Sequence, residues 1–330
     1  NVSTATVLPT ATQDTVAPNA PSITQIGATG NYINVANNAA VHITGTAEIN
    51  STVNVHLTGV LTVSGSGSAD GTTGAYDITI DASTLTDGTI TPSVTATDAV
   101  GNVSTATATP AATKDVAAPT ATAAVNPSTD TVNVGDALTI TLTAGSSQND
   151  LTVGACTVNS IDVASSFVDN DNGTYTLTYT IANLQNDWTS GNLPISCVLN
   201  EPSGNSVTVV AFEANTLVGD ANIPSAPTVT SIATDNKINN SEKNAIVVVG
   251  TAEANALVSV TLSDGTNSVS GTQQLGGEAT AFSITINGST ATPTILADGT
   301  ITPSVTATDA AGNVSTATVL PTATQDTVAP

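Results

Sequence analysis

The stretch DGTITPSVTATDA, residues Asp87–Ala99, indicates the fold class of this chain, and the same thirteen letters return as Asp298–Ala310. In the first copy, apolar side chains stand on every second residue from Ile90 to Ala96, with threonine or serine between them. Successive side chains of a β-strand point to opposite faces, so this alternation predicts a strand with one face in a core and the other in water. The Asp-Gly and Asp-Ala pairs that flank it are typical of turns.

The same period of two runs through the rest of the chain, and no stretch has a helical period. Apolar residues alternate at Val41/Ile43, Val53/Val55/Leu57, Tyr76/Ile78/Ile80, Leu138/Ile140/Leu142, Tyr175/Leu177/Tyr179/Ile181, Ile195/Cys197/Leu199, Val207/Val209/Ala211, Ile246/Val248, Val258/Val260/Leu262, Phe282/Ile284/Ile286 and Ile301/Val305/Ala307. Glycine, asparagine and aspartate turns separate these runs at intervals of about 8–12 residues. The pattern predicts an all-β fold of antiparallel strands.

A linker motif, Asp-x-x-x-Pro, divides the chain. It occurs at Asp14–Pro18, Asp115–Pro119, Asp220–Pro224 and Asp326–Pro330, so successive aspartates are 101, 105 and 106 residues apart (115 − 14, 220 − 115, 326 − 220). Units of that size, built of strands, fit immunoglobulin-like β-sandwiches of about seven strands each. The proline fixes one backbone dihedral and predicts short, stiff linkers.

We therefore predict three tandem domains arranged end to end as a rod: residues 14–114, 115–219 and 220–325, called here the first, middle and third domains. Residues 1–13 are expected to be the last strand of a preceding repeat, and residues 326–330 the start of the next one.

The two ends of the chain carry the same eighteen residues, because NVSTATVLPTATQDTVAP is both Asn1–Pro18 and Asn313–Pro330. The offset of 312 residues (313 − 1) is too long for one solenoid repeat of ~20–50 residues, so the repeating block contains several domains. The first and third domains are siblings, since both also contain GTAE, at Gly45–Glu48 and Gly250–Glu253. A block that is copied whole suits a part whose role is length, such as a stalk.

Composition argues against several classes of function. Three lysines and no arginine stand against 26 acidic residues, which gives a formal net charge of −23. Such a surface does not neutralise phosphate, so we expect no nucleic acid partner, and an anionic membrane surface would repel it. No apolar run is long enough for membrane insertion as a helix. We expect no enzyme, because His42 and His56 lack the partners of a nucleophilic triad and no phosphate-binding loop occurs.

Two strings resemble bacterial immunoglobulin-like (BIg) domains: VTATDAAGNVS at Val305–Ser315 and DNKINNSE at Asp235–Glu242, together with the linker motif. Domains of this family form the long repetitive regions of giant secreted adhesins and biofilm-associated surface proteins, typically exported by type I secretion. The resemblance covers the first and third domains well and the middle one loosely. It implies a location outside the cell or on its surface, and calcium at the domain junctions that stiffens the rod.

The acidic residues give an independent argument for Ca²⁺. In an immunoglobulin topology, the loops after the second and sixth strands lie at the end where the chain enters the domain. The carboxylates expected to meet there are Asp14, Glu48 and Asp98 in the first domain, Asp115, Asp150 and Glu201 in the middle one, Asp220, Glu253 and Asp309 in the third, and Asp326 at the next junction. Such carboxylates repel one another unless a hard cation with about 6–8 oxygen ligands joins them. The alternative is that they are solvated acids that only form turns.

A second candidate calcium site lies at the opposite end of the third domain. Asp235, Asn239 and Glu242 fall in the connection between its first strands, and Asp298 lies at a later turn expected nearby. The first domain has glycine and asparagine at the positions that correspond to these three, so it lacks the charge for such a site. Whether this third-domain site holds a metal ion is left open by the sequence.

The middle domain contains both cysteines and the single tryptophan. Cys156 and Cys197 are 41 residues apart, and Cys197 alternates inward with its neighbours, so we predict a disulfide that pins this sandwich and adds ~3–4 kcal/mol. A buried pair of free thiols is the alternative. Trp188, in the loop NDWTSGN, is expected to plug one end of the sandwich, and a sugar-stacking surface residue is the alternative.

Together these features favour a structural function: an extender, or stalk, of a repetitive bacterial cell-surface adhesin or filament, stiffened by calcium. Its expected partners are neighbouring repeats of the same chain, with lateral self-association left open, and the adhesion ligand is expected to bind elsewhere in the parent protein. The alternative is a ligand-binding module in which one domain recognises a carbohydrate or a surface.

Overall fold

The computed structural model describes residues 13–145, 148, 150–289 and 296–328. Within them, every regular element is a β-strand except one turn of 3₁₀ helix, Ala164–Ser166. The predicted all-β fold is confirmed. None of the helical structure in the described residues has the length and apolar character that a membrane span needs. Nearly all of the preceding-repeat strand predicted over residues 1–13 lies outside the described residues.

The first domain is a sandwich of two sheets. Its strands are β1 (Ser22–Ile26), β2 (Tyr32–Ile33), β3 (Val41–Thr46), β4 (Thr52–Thr58), β5 (Thr62–Ser68), β6 (Ala75–Ile80), β7 (Gly88–Thr97) and β8 (Ala112–Lys114). One sheet has the order β1-β3-β6 and the other β2-β8-β7-β4-β5. The stretch that begins at Asp87 therefore forms a central strand, β7, paired with β4 on one side and with β8 on the other.

The middle domain follows the same plan with more short strands. They are β9 (Ala121–Asn126), β10 (Thr131–Val132), β11 (Ala137–Ala144), β12 (Thr152–Val158), β13 (Ile161–Asp162), β14 (Val168–Asp169), β15 (Thr174–Thr180), β16 (Ile195–Asn200), β17 (Ser206–Val209) and β18 (Val218–Gly219). Its sheets have the orders β14-β15-β11-β9 and β13-β12-β16-β17, with β10 and β18 as a separate pair.

The third domain repeats the topology of the first. Its strands are β19 (Thr228–Ile232), β20 (Lys237–Ile238), β21 (Ile246–Thr251), β22 (Leu257–Ser263), β23 (Ser268–Gln274), β24 (Ala281–Ile286), β25 (Gly299–Thr308) and β26 (Ala323–Gln325). Their orders are β19-β21-β24 and β20-β26-β25-β22-β23, which match the first domain strand for strand. The shared sequence motifs thus specify a shared fold.

Each domain has its own hydrophobic core, filled by the residues that alternate in the sequence. The buried residues that form the three cores fall within residues 26–112, 123–221 and 232–323, and no residue belongs to two cores. These cores agree with three tandem sandwiches, and the boundaries at residues 114, 219 and 325 stay predictions. The predicted alternation Val207/Val209/Ala211 is wrong at its last position. Ala211 is exposed because β17 stops at Val209 and the chain leaves the sheet.

The strand that closes each domain pairs in parallel with a short strand near the start of the same domain. Strand β8 pairs with β2, β18 with β10, and β26 with β20. The next N–H along the chain, that of the linker aspartate, extends the pairing: Asp115 donates to Ile33 O at 2.8 Å, and Asp220 donates to Val132 O at 3.0 Å. Each linker therefore leaves its domain from a fixed position.

The predicted disulfide is present between Cys156 and Cys197, and both residues are buried. The two cysteines face each other across β12 and β16, which are neighbours in one sheet. The bond therefore joins two strands of the same sheet and does not tie the two sheets of the sandwich together.

Candidate functional site at the domain junctions

A loop of five residues with the pattern Asp/Glu-x-x-Gly-Asn follows one central strand in every domain. We call these the Gly-Asn loops: Asp98–Asn102 after β7, Glu201–Asn205 after β16 and Asp309–Asn313 after β25. The Asp98 Oδ1 atom accepts hydrogen bonds from three backbone N–H groups of its loop, at 2.8–3.0 Å, and Asp309 does the same. These two aspartates build their loops, as the turn-forming alternative predicts.

Hydrogen bonding also sets the charge of the first loop. Burial raises the pKa of the Asp98 carboxyl, but the donors from Asn102, Val100 and Gly101 outweigh it, so the pKa lies below its ordinary value. These hydrogen bonds therefore favour the ionised form of Asp98 at the end of the first domain.

The asparagine that ends each Gly-Asn loop holds the linker that enters its domain. The Asn102 Nδ2 donates to Asp14 O at 3.2 Å, Asn205 Nδ2 to Asp115 O at 2.9 Å, and Asn313 Nδ2 to Asp220 O at 3.3 Å. At the two internal junctions, the main chain of the linker aspartate is thus bound on both sides, by the preceding domain through its N–H and by the following domain through its carbonyl.

The carboxylate sets predicted for the first and middle domains each share one cleft. Asp14, Glu48 and Asp98 line a cleft of about 200 Å³ at the end of the first domain. Asp115, Asp150 and Glu201 line a cleft of about 360 Å³ at the first–middle junction, to which the first domain contributes Tyr32 and Thr113.

The third set is also close enough to interact electrostatically. Burial raises the pKa of the Asp220 carboxyl above its ordinary value, and three negative charges raise it further, those of Asp309, Asp187 and Glu253. Asp187 belongs to the middle domain and accepts hydrogen bonds from Ala221 N and Asn222 Nδ2, both at 2.8 Å. The sequence had drawn attention to this loop only for Trp188, so Asp187 is an acidic residue of the junction that sequence reasoning missed.

The donor set at these clefts fits a hard cation in its chemistry. Acidic and uncharged residues line the first and middle clefts, and one of the three lysines, Lys114, is already paired with Asp87 at 3.0 Å. The geometry is more open than a coordination sphere: within the described residues, no group of three or more His, Cys, Asp or Glu side chains lies close enough together to hold a metal ion.

The second candidate site of the third domain is only partly assembled. Asn239 and Glu242 do meet, since Asn239 N donates to Glu242 Oε2 at 3.1 Å. Asp235 accepts a hydrogen bond from Lys237 N at 3.0 Å, and Asp298 accepts from the backbone and hydroxyl of Thr327 at 3.0 and 2.9 Å. Asp235 and Asp298 are therefore each hydrogen-bonded to a partner outside the Asn239–Glu242 turn, namely Lys237 and Thr327.

Neighbouring domains also make a direct contact that the sequence did not predict. Residues that follow β2 and β10, called here the Asn corners, bind the Gly-Asn loop of the next domain. At the first–middle junction, Asn34 Nδ2 donates to Ser203 O at 2.7 Å, and Val35 N donates to Asn205 Oδ1 at 3.2 Å.

The middle–third junction repeats this pair of hydrogen bonds. Asn133 Nδ2 donates to Ala311 O at 3.1 Å, and Val134 N donates to Asn313 Oδ1 at 2.8 Å. The only sequence signal was an Asn-Val pair at similar positions of two domains. The pair becomes informative only with the structure, in which it contacts the Gly-Asn loop of the next domain.

Comparisons with known proteins agree with this architecture. Residues 17–113 match a family model described as "Bacterial Ig domain". No curated protein sequence matches the chain.

Two solved structures align with most of this chain. One is a Ca²⁺-stabilised adhesin that helps an Antarctic bacterium reach out and bind ice, with 22% identity over 95% of this chain and 75% of that chain, and a TM-score of 0.38. The other is a tetra-tandem repeat in the extending region of a large adhesion protein, with 22% identity over 92% and 74% of the two chains and a TM-score of 0.29. At these TM-scores, neither likeness bears on function.

The family match spans the first of the three sandwiches, and the third domain repeats its strand order and its motifs. Residues 17–113 therefore match the family of bacterial Ig domains that the sequence motifs predicted.

Proposed function

We propose that this chain is an extender segment of a bacterial cell-surface adhesin or filament, in which junctions of fixed geometry hold a binding region away from the cell. One observation carries the proposal: both internal junctions use the same pair of hydrogen bonds between an Asn corner and a Gly-Asn loop. Equivalent bonds at successive junctions favour an equivalent angle between domains, which is what a long regular stalk requires.

Calcium is the second part of the proposal. The residues that would hold it are Asp220, Asp309, Glu253 and Asp187 at the middle–third junction, and Asp115, Asp150 and Glu201 at the first–middle junction. A bound Ca²⁺ would supply the positive charge that these carboxylates lack. The raised pKa of Asp220 supports the idea, because burial and the neighbouring carboxylates make its negative charge less favourable than in water, and a cation would offset that cost. Extracellular modules commonly bind calcium at ~10⁻⁴–10⁻³ M, so such sites would fill outside the cell.

The shape of the chain tests the extender proposal. Three end-to-end sandwiches with strands of ~8 residues should give a rod on the order of 120 Å in small-angle scattering. Chelation with EDTA should broaden the distribution of end-to-end distances and leave the β-sheet circular dichroism nearly unchanged, because the cores do not include the junction carboxylates. A compact particle in calcium would overturn the extender proposal. An equally narrow distribution with and without EDTA would mean that the Asn contacts and the linker prolines alone fix the angle.

A single substitution tests the calcium part. The folded-state pKa of Asp220 is raised, so its ionisation destabilises the native junction at pH values above the ordinary aspartate range of about 4. Asp220→Asn should therefore leave the melting temperature in EDTA at pH 7 unchanged or slightly higher. In calcium at about 100 times Kd, where one site adds about 2.7 kcal/mol, the variant should lose most of the stabilisation that the parent gains.

Asp171→Asn is the matched control, because Asp171 is exposed in a turn of the middle domain and asparagine tolerates its positive φ of 56°. Its response to calcium should equal that of the parent. If Asp220→Asn and the parent gain the same stability from calcium, Asp220 is not a ligand and the metal assignment at this junction is wrong.

No specific observation favours the ligand-binding alternative. Trp188 is 5% exposed, so its ring is not available to stack on a sugar. The remaining aromatic side chains, four tyrosines and three phenylalanines, are buried or half-buried as well.

A further inference from the structure

The third domain has an Asn corner that makes no hydrogen bond to another domain among the described residues. Asn239 and Asn240 follow β20 as Asn34 and Val35 follow β2, at an offset of 205 residues (239 − 34). Within the described part of the chain, no hydrogen bond is made by the Asn239 Nδ2 group or the Asn240 N–H. Both residues are exposed, whereas Asn34, in its docked corner, is 7% exposed. This corner has the donors of the two internal junctions and lacks an acceptor.

The first domain has the complementary half, a Gly-Asn loop that no Asn corner in the described part of the chain contacts. The three loop glycines share a left-handed backbone conformation, with φ of +99° at Gly101, +90° at Gly204 and +100° at Gly312. A Cβ atom on Gly204 would lie 2.9 Å from Asn34 Nδ2, and one on Gly312 would lie 3.0 Å from Asn133 Nδ2.

A Cβ atom on Gly101 would meet no described atom within 4 Å. The space beside Gly101 therefore corresponds to the position that the preceding Asn side chain fills at the other two loops. The neighbouring Val100, which corresponds to the acceptor residue Ala311, is 59% exposed.

The linker aspartates show how these two halves join. At each internal junction, one aspartate N–H is bound by the preceding domain and its carbonyl by the following domain. Asp326 has the bond to the preceding domain, since its N–H donates to Ile238 O at 3.0 Å. Asp14 has the bond to the following domain, since its carbonyl accepts from Asn102 Nδ2. Asp14 and Asp326 occupy the same place in the identical eighteen-residue strings, so one aspartate could satisfy both halves.

We infer that the Asn239–Asn240 corner is a docking surface for the Gly-Asn loop of a first-type domain, supplied by a second copy of this block. Asn239 Nδ2 donates to the carbonyl of Val100 and Asn240 N–H donates to Asn102 Oδ1 of that second copy. The contact needs no metal ion. This inference rests on the proposed extender function, since it names the partner at the end of each block and gives the block-to-block junction the geometry of the internal ones.

The test uses two blocks in one chain: residues 1–330 followed by residues 19–330, so that the shared string occurs once between the blocks. Hydrogen exchange measured by mass spectrometry follows the Asn240 amide, and Thr234→Ser in the second block separates the two copies of that peptide by mass. The first block's Asn240 amide should exchange roughly tenfold more slowly than in the 330-residue chain, as expected for one added hydrogen bond. The second block's Asn240, with no domain after it, should exchange at the rate of the single chain.

The same substitution in two places provides the control. Asn102→Ala in the second block removes the acceptor and should return the first block's Asn240 to fast exchange. Asn102→Ala in the first block should leave it slow, and also reports whether the substituted domain still folds. Equal exchange of both Asn240 copies in the unsubstituted two-block chain would overturn the inference.

Scattering of the same chain separates the two proposals. An extended particle with fast exchange at both copies of Asn240 would refute the docking surface and leave the extender function standing. A protected Asn240 in a compact particle would support the docking surface and refute the extender function.

Discussion

Trp188→Ala should lower the free energy of unfolding of the middle domain by about 3–5 kcal/mol, the usual loss when a buried tryptophan is truncated. Trp188 belongs to the core of that domain, and its indole packs so closely on Gly219 that a Cβ atom there would lie 2.2 Å from the ring. Strand β18, which contains Gly219, leads directly into the linker, so the cavity left by the substitution would lie beside the middle–third junction. Differential scanning calorimetry of the whole chain would measure the shift.

Two comparisons make this result specific. The transitions of the first and third domains should not move, because their cores share no residue with the middle one. Leu184→Ala is the control for loss of apolar surface from the same region, since Leu184 is 83% exposed, and it should have little effect. Unchanged stability of the middle domain in Trp188→Ala would contradict a packing role and reopen the sugar-stacking alternative.

Reduction of Cys156–Cys197 should destabilise the middle domain by about 4 kcal/mol, because the bond closes a loop of 41 residues in the unfolded chain. The single tryptophan lies in the same domain, so its fluorescence reports the unfolding of that domain alone. A urea titration with and without dithiothreitol should move the fluorescence midpoint and leave most of the circular dichroism of the other two domains in place.

The double variant Cys156→Ala with Cys197→Ala should be insensitive to dithiothreitol, which controls for effects of the reductant itself. A midpoint shift spread over all three domains would mean that they unfold as one cooperative unit. No shift at all would mean that the disulfide does not constrain the unfolded chain.

The fold was predictable because in these strands one physical rule applies with few exceptions. Side chains alternate between core and water, so Ile90, Val94 and Ala96 had to be buried if the stretch was a strand, and they are. The domain count followed from the linker aspartates, because each is followed four residues later by a proline and successive ones lie 101, 105 and 106 residues apart. The pairing of strands was harder to predict from the sequence. Strands β12 and β16 are separated by 36 residues (195 − 159 = 36), and no local sequence pattern specifies their register. The in-sheet position of the disulfide could therefore not be read from the sequence.

The junctions show where sequence reasoning stops. The acidic sets of the first and middle domains each line one cleft, and the third set interacts by charge, while calcium binding by any of them stays a prediction. What a carboxylate does there depends on neighbours within a few ångströms, such as the loop N–H groups that bind Asp98. The Asn contacts depend on two domains at once, through residues 169 and 170 positions apart, as for Asn34 with Ser203 and Val35 with Asn205. No spacing rule for a single domain contains that information.

The parallel pairing of the closing strands has a mechanical consequence. Tension applied to the two ends of a domain enters through its first strand and its closing strand, which in the first domain are β1 in one sheet and β8 in the other. Strand β8 lies between β2 and β7. A pull along its length therefore loads the hydrogen bonds on both sides in shear, all together, whereas a hairpin pulled at its open end would lose them one after another. The third domain has the same arrangement at β26. In each of these two sandwiches, a pull along the direction in which the chain runs would therefore have to break these hydrogen bonds together and not one at a time.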